Sequence, residues 1–262
     1  MNVRPLYPRA SVRPSPVFLA IVALTAVGGW LAWISTAEYR APLAYAGVFV
    51  FVIAGWVVSL SLHEFGHAFT AWRFGDHDIA VRGYLTLNPF KYANPLLSLG
   101  LPVLITLLGG IGLPGGAVWV RTSFMTVRQK TIVSLAGPMM NVVLAAILLV
   151  AARLFYDPQH VVFWAGVAFL GFLQITGAVL NLLPIPGLDG YGAMEPHLSP
   201  ETQRALEPAK PWAFFVFLLL LIATPLNQYF FAVVGWFFDL SGVNSELIGA
   251  GFGLTRFWSA WF

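Results

Sequence analysis

His63 and His67 are the residues of this chain best placed to do chemistry. They stand four apart in His63-Glu64-Phe65-Gly66-His67, so on a helix both imidazoles lie on one face, a turn apart. That spacing lets two ring nitrogens reach one zinc ion, and the glutamate between them is placed to activate a water on that ion. The motif closes a long apolar run, Leu43 to Leu62. A hydrolytic metal site where a membrane helix should be implies peptide-bond hydrolysis at or inside the bilayer.

A catalytic zinc typically takes three protein ligands and keeps a fourth position open. The third ligand must be another histidine or a carboxylate carried by a neighbouring helix. Ionisable groups inside apolar spans are costly and mark function, and the acids in the most apolar surroundings are Glu64, Asp189 and Asp239. Asp189 is the strongest third ligand. It follows Asn181-Leu182-Leu183-Pro184-Ile185-Pro186-Gly187-Leu188, where two prolines and a glycine break the helix. Broken backbone at membrane depth is tolerated mainly where it is buried in protein or lines a wet cavity. Asp239 reads as a helix-end cap or interfacial group, and His77, His160 and His197 read as loop residues.

The elements that must position these groups follow from composition. The chain has 262 residues, 58% hydrophobic and 10% charged, against roughly 25% charge in a soluble domain. The expected fold is an all-α polytopic membrane protein of about five to six transmembrane helices, with a re-entrant or short β-hairpin element between the second and third. Candidate spans are Val17–Thr36, Leu43–Leu62 running into the motif, Thr131–Ala152, Val161–Leu183 and Pro211–Pro225. Tyr229–Leu240 is too short to cross alone. Phe252, Phe257, Trp258, Trp261 and Phe262 look like an interfacial anchor. The expected organisation is a cytoplasmic N-terminal tail over 1–16, a first transmembrane helix and loop over 17–42, a catalytic membrane core over 43–195, and C-terminal transmembrane and interfacial segments over 196–262. The first helix reads as retained, because no small-residue cleavage site follows it. The absence of cysteine excludes disulfides, thiolate metal sites and cysteine nucleophiles. The basic residues sit at helix ends, a topological placement rather than a nucleic-acid surface.

The apolar stretch Leu96–Leu113 is ambiguous, with Pro102 and a run of glycines from Gly109 to Gly116. If it does not cross, Arg4, Arg9, Arg13, Arg73, Arg82, Lys91, Arg121, Arg128, Lys130, Arg204 and Lys210 fall on one side, and Arg40 and Arg153 on the other. The positive-inside bias makes the crowded side cytoplasmic. Chemistry needs the same parity. Were this stretch a full crossing, the ends carrying His67 and Asp189 would lie about 30 Å apart. A re-entrant or partly inserted hairpin is therefore expected there.

His63-Glu64-x-x-His67 with Leu188-Asp189-Gly190 resembles the site-2 protease family of intramembrane zinc metalloproteases. Gly75-Asp76 followed by Gly83-Tyr84-Leu85-Thr86-Leu87-Asn88-Pro89 is similar to that family's loop after the first zinc helix. Ala136-Gly137-Pro138-Met139-Met140-Asn141 is similar to its Gly-Pro-x-x-Asn signature, and Asn181 with Pro184 to its Asn-x-x-Pro stretch. In order, these cover about residues 43–195. The chain departs from relatives that carry a His and an Asp where Tyr92 and Asn94 stand, and its Gly109–Gly116 run differs as well.

The resemblance implies zinc held by His63, His67 and Asp189, with Glu64 as general base. It implies Asn181 as a donor to the oxyanion or substrate backbone, and Asn141 near zinc depth in a supporting or substrate-facing role. The implied substrates are single-pass membrane proteins in the lipid bilayer, cut by a multi-pass cell-membrane enzyme whose site faces the cytoplasm. An extended substrate could pair with an edge strand, for which Ala117-Val118-Trp119-Val120 is the candidate. Two other functions compete: a divalent-metal transporter, and a relative that binds membrane proteins without cutting them. An acid locked between two histidines gains a transporter nothing, and all four core residues are present.

Overall fold

The computed structural model describes residues 12–35, 41–92 and 119–256. These residues are helical, with no strand among them. Helix α1 (Pro16–Ile34) starts on a Ser15 cap with proline at its first position, where a missing N–H costs nothing. Helix α2 (Pro42–Arg73) runs unbroken for 32 residues through the histidine motif. That is about 48 Å, well over the thickness of a hydrocarbon core. A short α3 (Asp78–Val81) follows. Helix α4 (Val127–Phe155) opens on a capping box in which Thr126 and Gln129 satisfy each other's backbone N–H groups.

Helix α5 (Val161–Asn181) leads into the Pro184–Pro186 break, and α6 (Asp189–Met194) restarts the chain at the candidate ligand. Helices α7 (Pro200–Leu206), α8 (Lys210–Ala223), α9 (Leu226–Asp239) and α10 (Glu246–Thr255) complete the described chain.

Among the described residues, five segments are long and apolar enough to cross a membrane: Pro16–Ile34, Pro42–Arg73, Val127–Phe155, Pro158–Asn181 and Pro200–Ala223. These coincide with the five spans expected from the sequence. Their burial ranks them. The α5 segment is 78% buried, α1 22% and the 200–223 segment 6%, so α5 is the central post and the other two are peripheral. Leu19, Leu24 and Trp30 on α1, Ile147 and Leu154 on α4, and Phe215, Leu219 and Ile222 on α8 are exposed. An apolar surface of this extent belongs in lipid. On α9 the stripe Phe230, Val234 and Phe238, at spacings of four, faces the core.

A second, smaller core closes the motif end of the bundle. Ala68 and Ala71 of α2 pack with Ile79, Tyr84, Leu85, Tyr92, Met125 and Val133. The Asp76 carboxylate accepts from the Arg121 backbone N–H at 2.7 Å, and Arg121 Nη1 reaches Asp78 at 2.8 Å. The chain therefore leaves α2 and re-enters α4 at the same end of the molecule, which is the parity the sequence required. The stretch Leu96–Leu113 and the run Gly109–Gly116 lie outside the described residues. The candidate edge strand Ala117–Val120 is described only at Trp119 and Val120. Trp119 and Val120 have no strand structure, while Ala117 and Val118 lie outside the described residues; Val120 packs against the smaller core.

Candidate metal centre

The i, i+4 spacing on α2 brings the two imidazoles together edge to face, with Nε2 atoms 3.1 Å apart. Asp189 reaches them because the chain folds back after α5. Any Cβ at Gly190 would overlap the carbonyl oxygens of Leu182 and Leu183, so only glycine lets the first turn of α6 lie against the broken end of α5. That closeness swings Asp189 onto α2. Asp189 Oδ2 stands 3.2 Å from His63 Nε2, and Oδ1 stands 3.3 Å from His67 Nε2. Among the described residues, these three form the group able to hold a metal ion. His160 stacks on Trp33 and pairs with Asp157, and His197 contacts Thr131. Asp239 is the exposed last residue of α9. None of these reaches the triad.

The geometry fits zinc. Two donors at about 2.0–2.1 Å from a tetrahedral ion stand about 3.3–3.4 Å apart, close to the three separations found. Protonation fits as well. His67 Nδ1 lies 2.7 Å from the Val133 carbonyl. A carbonyl only accepts, so the ring proton is on Nδ1 and Nε2 presents a lone pair. His63 Nδ1 lies 2.6 Å from Asn141 Oδ1, with the same consequence. Two lone pairs 3.1 Å apart repel unless a cation stands between them. Helix α4 makes room for that cation at Gly137. An ideal Cβ there would lie 2.6 Å from His63 Nε2 and closer still to His67 Nε2, inside the space the ion needs.

Glu64 is 3% exposed, between the two ligands on α2. Asn181 is buried at the end of α5, and its side-chain amide makes no hydrogen bond among the described residues. Asn141 is differently employed. Its oxygen faces His63 and its nitrogen donates to Gln174 Oε1 at 2.8 Å, so this amide is committed to the metal ligand. Tyr92 is also buried, and its hydroxyl donates to the Ser61 carbonyl at 3.0 Å. Burial pushes the phenol well above its ordinary range, and the Glu64 carboxylate adds to the shift, so it stays a donor. Sequence reasoning missed Gln174, Val133 and the bond made by Tyr92. The available signal for Gln174 was an amide in the middle of an otherwise apolar span.

A groove of about 510 Å³ opens between α1 and α4 over a floor formed by α2 and α5. Its α2 floor includes Phe51, Gly55 and Ser59. On α2 the lining ends at Ser59, one helical turn before His63, and none of the three candidate ligands lines the groove.

A membrane helical bundle with a two-histidine, one-carboxylate centre and a glutamate between the histidines defines a zinc metalloprotease type of site. Comparison with known proteins agrees. The chain is 68% identical over 262 residues, the whole of both chains, to a Mycolicibacterium smegmatis protein named "Putative zinc metalloprotease Rip2". It is 67% identical over 254 residues to the Mycobacterium tuberculosis protein of the same name, covering 97% of this chain and 98% of that one. A Bacillus subtilis protein named "Putative zinc metalloprotease YwhC" is 34% identical over 181 residues, 66% of this chain and 80% of that one. No family model matches the chain, and no solved structure matches it. The chain belongs to the site-2 protease family, and its metal is zinc.

Proposed function

We propose that this protein is an intramembrane zinc endopeptidase that cuts peptide bonds in or near the transmembrane segments of single-pass membrane proteins, as a step in regulated intramembrane proteolysis. The observation that carries this reading is the convergence of His63, His67 and Asp189 beside Glu64 on a membrane-crossing helix. When bound, zinc supplies Lewis acidity, which makes a water acidic near neutral pH and polarises a carbonyl. Glu64 takes the proton from the attacking water and delivers it to the leaving amine. The Asn181 amide donates to the developing oxyanion or to the substrate backbone. Asn141 and the Val133 carbonyl hold the two imidazoles in the ligating tautomer.

The open groove between α1 and α4, whose α2 floor ends one turn before His63, supports a substrate that arrives from the lipid. A transmembrane helix hides its peptide bonds in its own hydrogen bonds, so the segment must unwind before attack. The clustering of basic residues at the motif end supports a site facing the cytoplasm of a cell-membrane protein.

The test is a cleavage assay in proteoliposomes with a panel of labelled single-span proteins, run on wild type and Glu64→Gln. The variant should keep one equivalent of zinc and lose cleavage. Cleavage at the wild-type rate by the variant, or zinc flux with no cleavage by wild type, would reject the proposal.

A further inference from the structure

Gln174 lies in the middle of α5, is 1% exposed, and has Leu170, Leu173, Ile175 and Ala178 as buried companions. An amide in such a place costs free energy unless it is bonded. Its Oε1 accepts from Asn141 Nδ2 at 2.8 Å, Asn141 Oδ1 accepts from His63 Nδ1 at 2.6 Å, and His63 Nε2 faces Asp189 and His67. Three side chains on α5, α4 and α2 thus form a directed chain that ends on a metal ligand.

The direction matters. His63 ligates only if its proton sits on Nδ1, which requires an acceptor at Asn141. The two ends of a carboxamide are nearly the same shape, so packing alone does not choose between oxygen and nitrogen. Turned over, Asn141 would offer N–H to Nδ1, and the ring proton would move to Nε2, where it blocks the metal. We infer that Gln174 is a positioning residue for the metal centre: by accepting from Asn141 Nδ2 it holds Asn141 Oδ1 toward His63, and so fixes the tautomer that ligates. Without it, the competent orientation of Asn141 leaves a buried N–H unpaired. The inference rests on the zinc site and not on what that site cuts.

The test compares wild type with Gln174→Met and Gln174→Glu in detergent. Zinc affinity is measured by chelator competition, the visible spectrum is recorded with cobalt in the site, and thermal stability is measured without metal. An ionised glutamate only accepts, so it preserves the direction of the chain; methionine has the length but only a weak thioether acceptor. Gln174→Met should weaken zinc about 10- to 100-fold and alter the cobalt spectrum. Gln174→Glu should stay within a few-fold of wild type in the same assay, although it buries a carboxylate. A merely structural role gives the reverse order, with methionine harmless and glutamate damaging, and that result overturns the inference.

A cycle with Asn141→Asp decides independently. Aspartate accepts from His63 in either orientation, so adding Gln174→Met should then cost little further affinity. A full additional 10- to 100-fold loss in that background also overturns the inference. If Gln174→Met does not accumulate, the decision rests on Gln174→Glu, where a tenfold or greater loss of zinc affinity in folded protein counts against the inference. None of these readouts needs proteolysis, so this inference and the proposed function fail separately.

Discussion

Replacing Gly137 by alanine places a methyl carbon inside the metal centre without touching a ligand. The new Cβ would stand 2.6 Å from His63 Nε2 and closer to His67 Nε2. Ordinary contact needs about 3.5 Å, so α4 and α2 must separate by roughly 1 Å or the imidazoles must rotate away. Either response exceeds the ±0.2 Å or so within which metal–ligand distances hold. It also pulls Asn141 and the Val133 carbonyl, both on α4, from the Nδ1 atoms they accept from. Overpacking of this kind costs the fold about 1–3 kcal/mol, while zinc affinity should fall by at least about 100-fold, or about 2.7 kcal/mol. The assay is metal content of detergent-purified protein, together with thermal unfolding with and without a chelator. Wild type should lose stability when chelated, and Gly137→Ala should respond little. A variant that retains a full equivalent of zinc at wild-type affinity would show that the backbone of α4 does not border the ion.

Three further outcomes follow from the same geometry. Asn181→Ala should lower kcat on the order of 100-fold or more while zinc content stays unchanged; loss of zinc would mean that Asn181 serves the metal instead. Gly190→Ala should open the turn against Leu182 and Leu183 and carry Asp189 away from the histidines, so zinc is lost from a protein that still inserts; normal zinc content would refute that account of the turn. Single-span substrates with a glycine or proline near the scissile bond should be cut faster than an all-leucine span, because unwinding costs less; equal rates in a proteoliposome assay would place unwinding outside the slow step.

The two histidines and the glutamate were legible because helical periodicity alone puts positions four apart on one face. Asp189 was legible because a carboxylate behind two prolines in an apolar stretch has few other reasons to be there. The membrane class was legible from charge content, and the five spans from run length, since lipid imposes length and polarity directly on the chain. Gly137 and Asn141 were visible only as parts of a motif. What each does depends on where α4 crosses α2, and no local pattern encodes a crossing. The candidate edge strand at Ala117–Val120 lies half outside the described residues, and strand pairing needs a partner backbone that no local pattern supplies.

The chain by itself determined which atoms can bind zinc and that the histidine pair closes an apolar run long enough to span a bilayer, because helix period and hydrophobic run length are properties of neighbouring residues. Only the tertiary structure decided that these atoms meet at zinc-like separations, which amides and carbonyls turn each imidazole lone pair inward, and that α5 lends Gln174 to the site. Those facts require α2, α4, α5 and α6 to pack against one another, and packing is settled by the whole bundle at once.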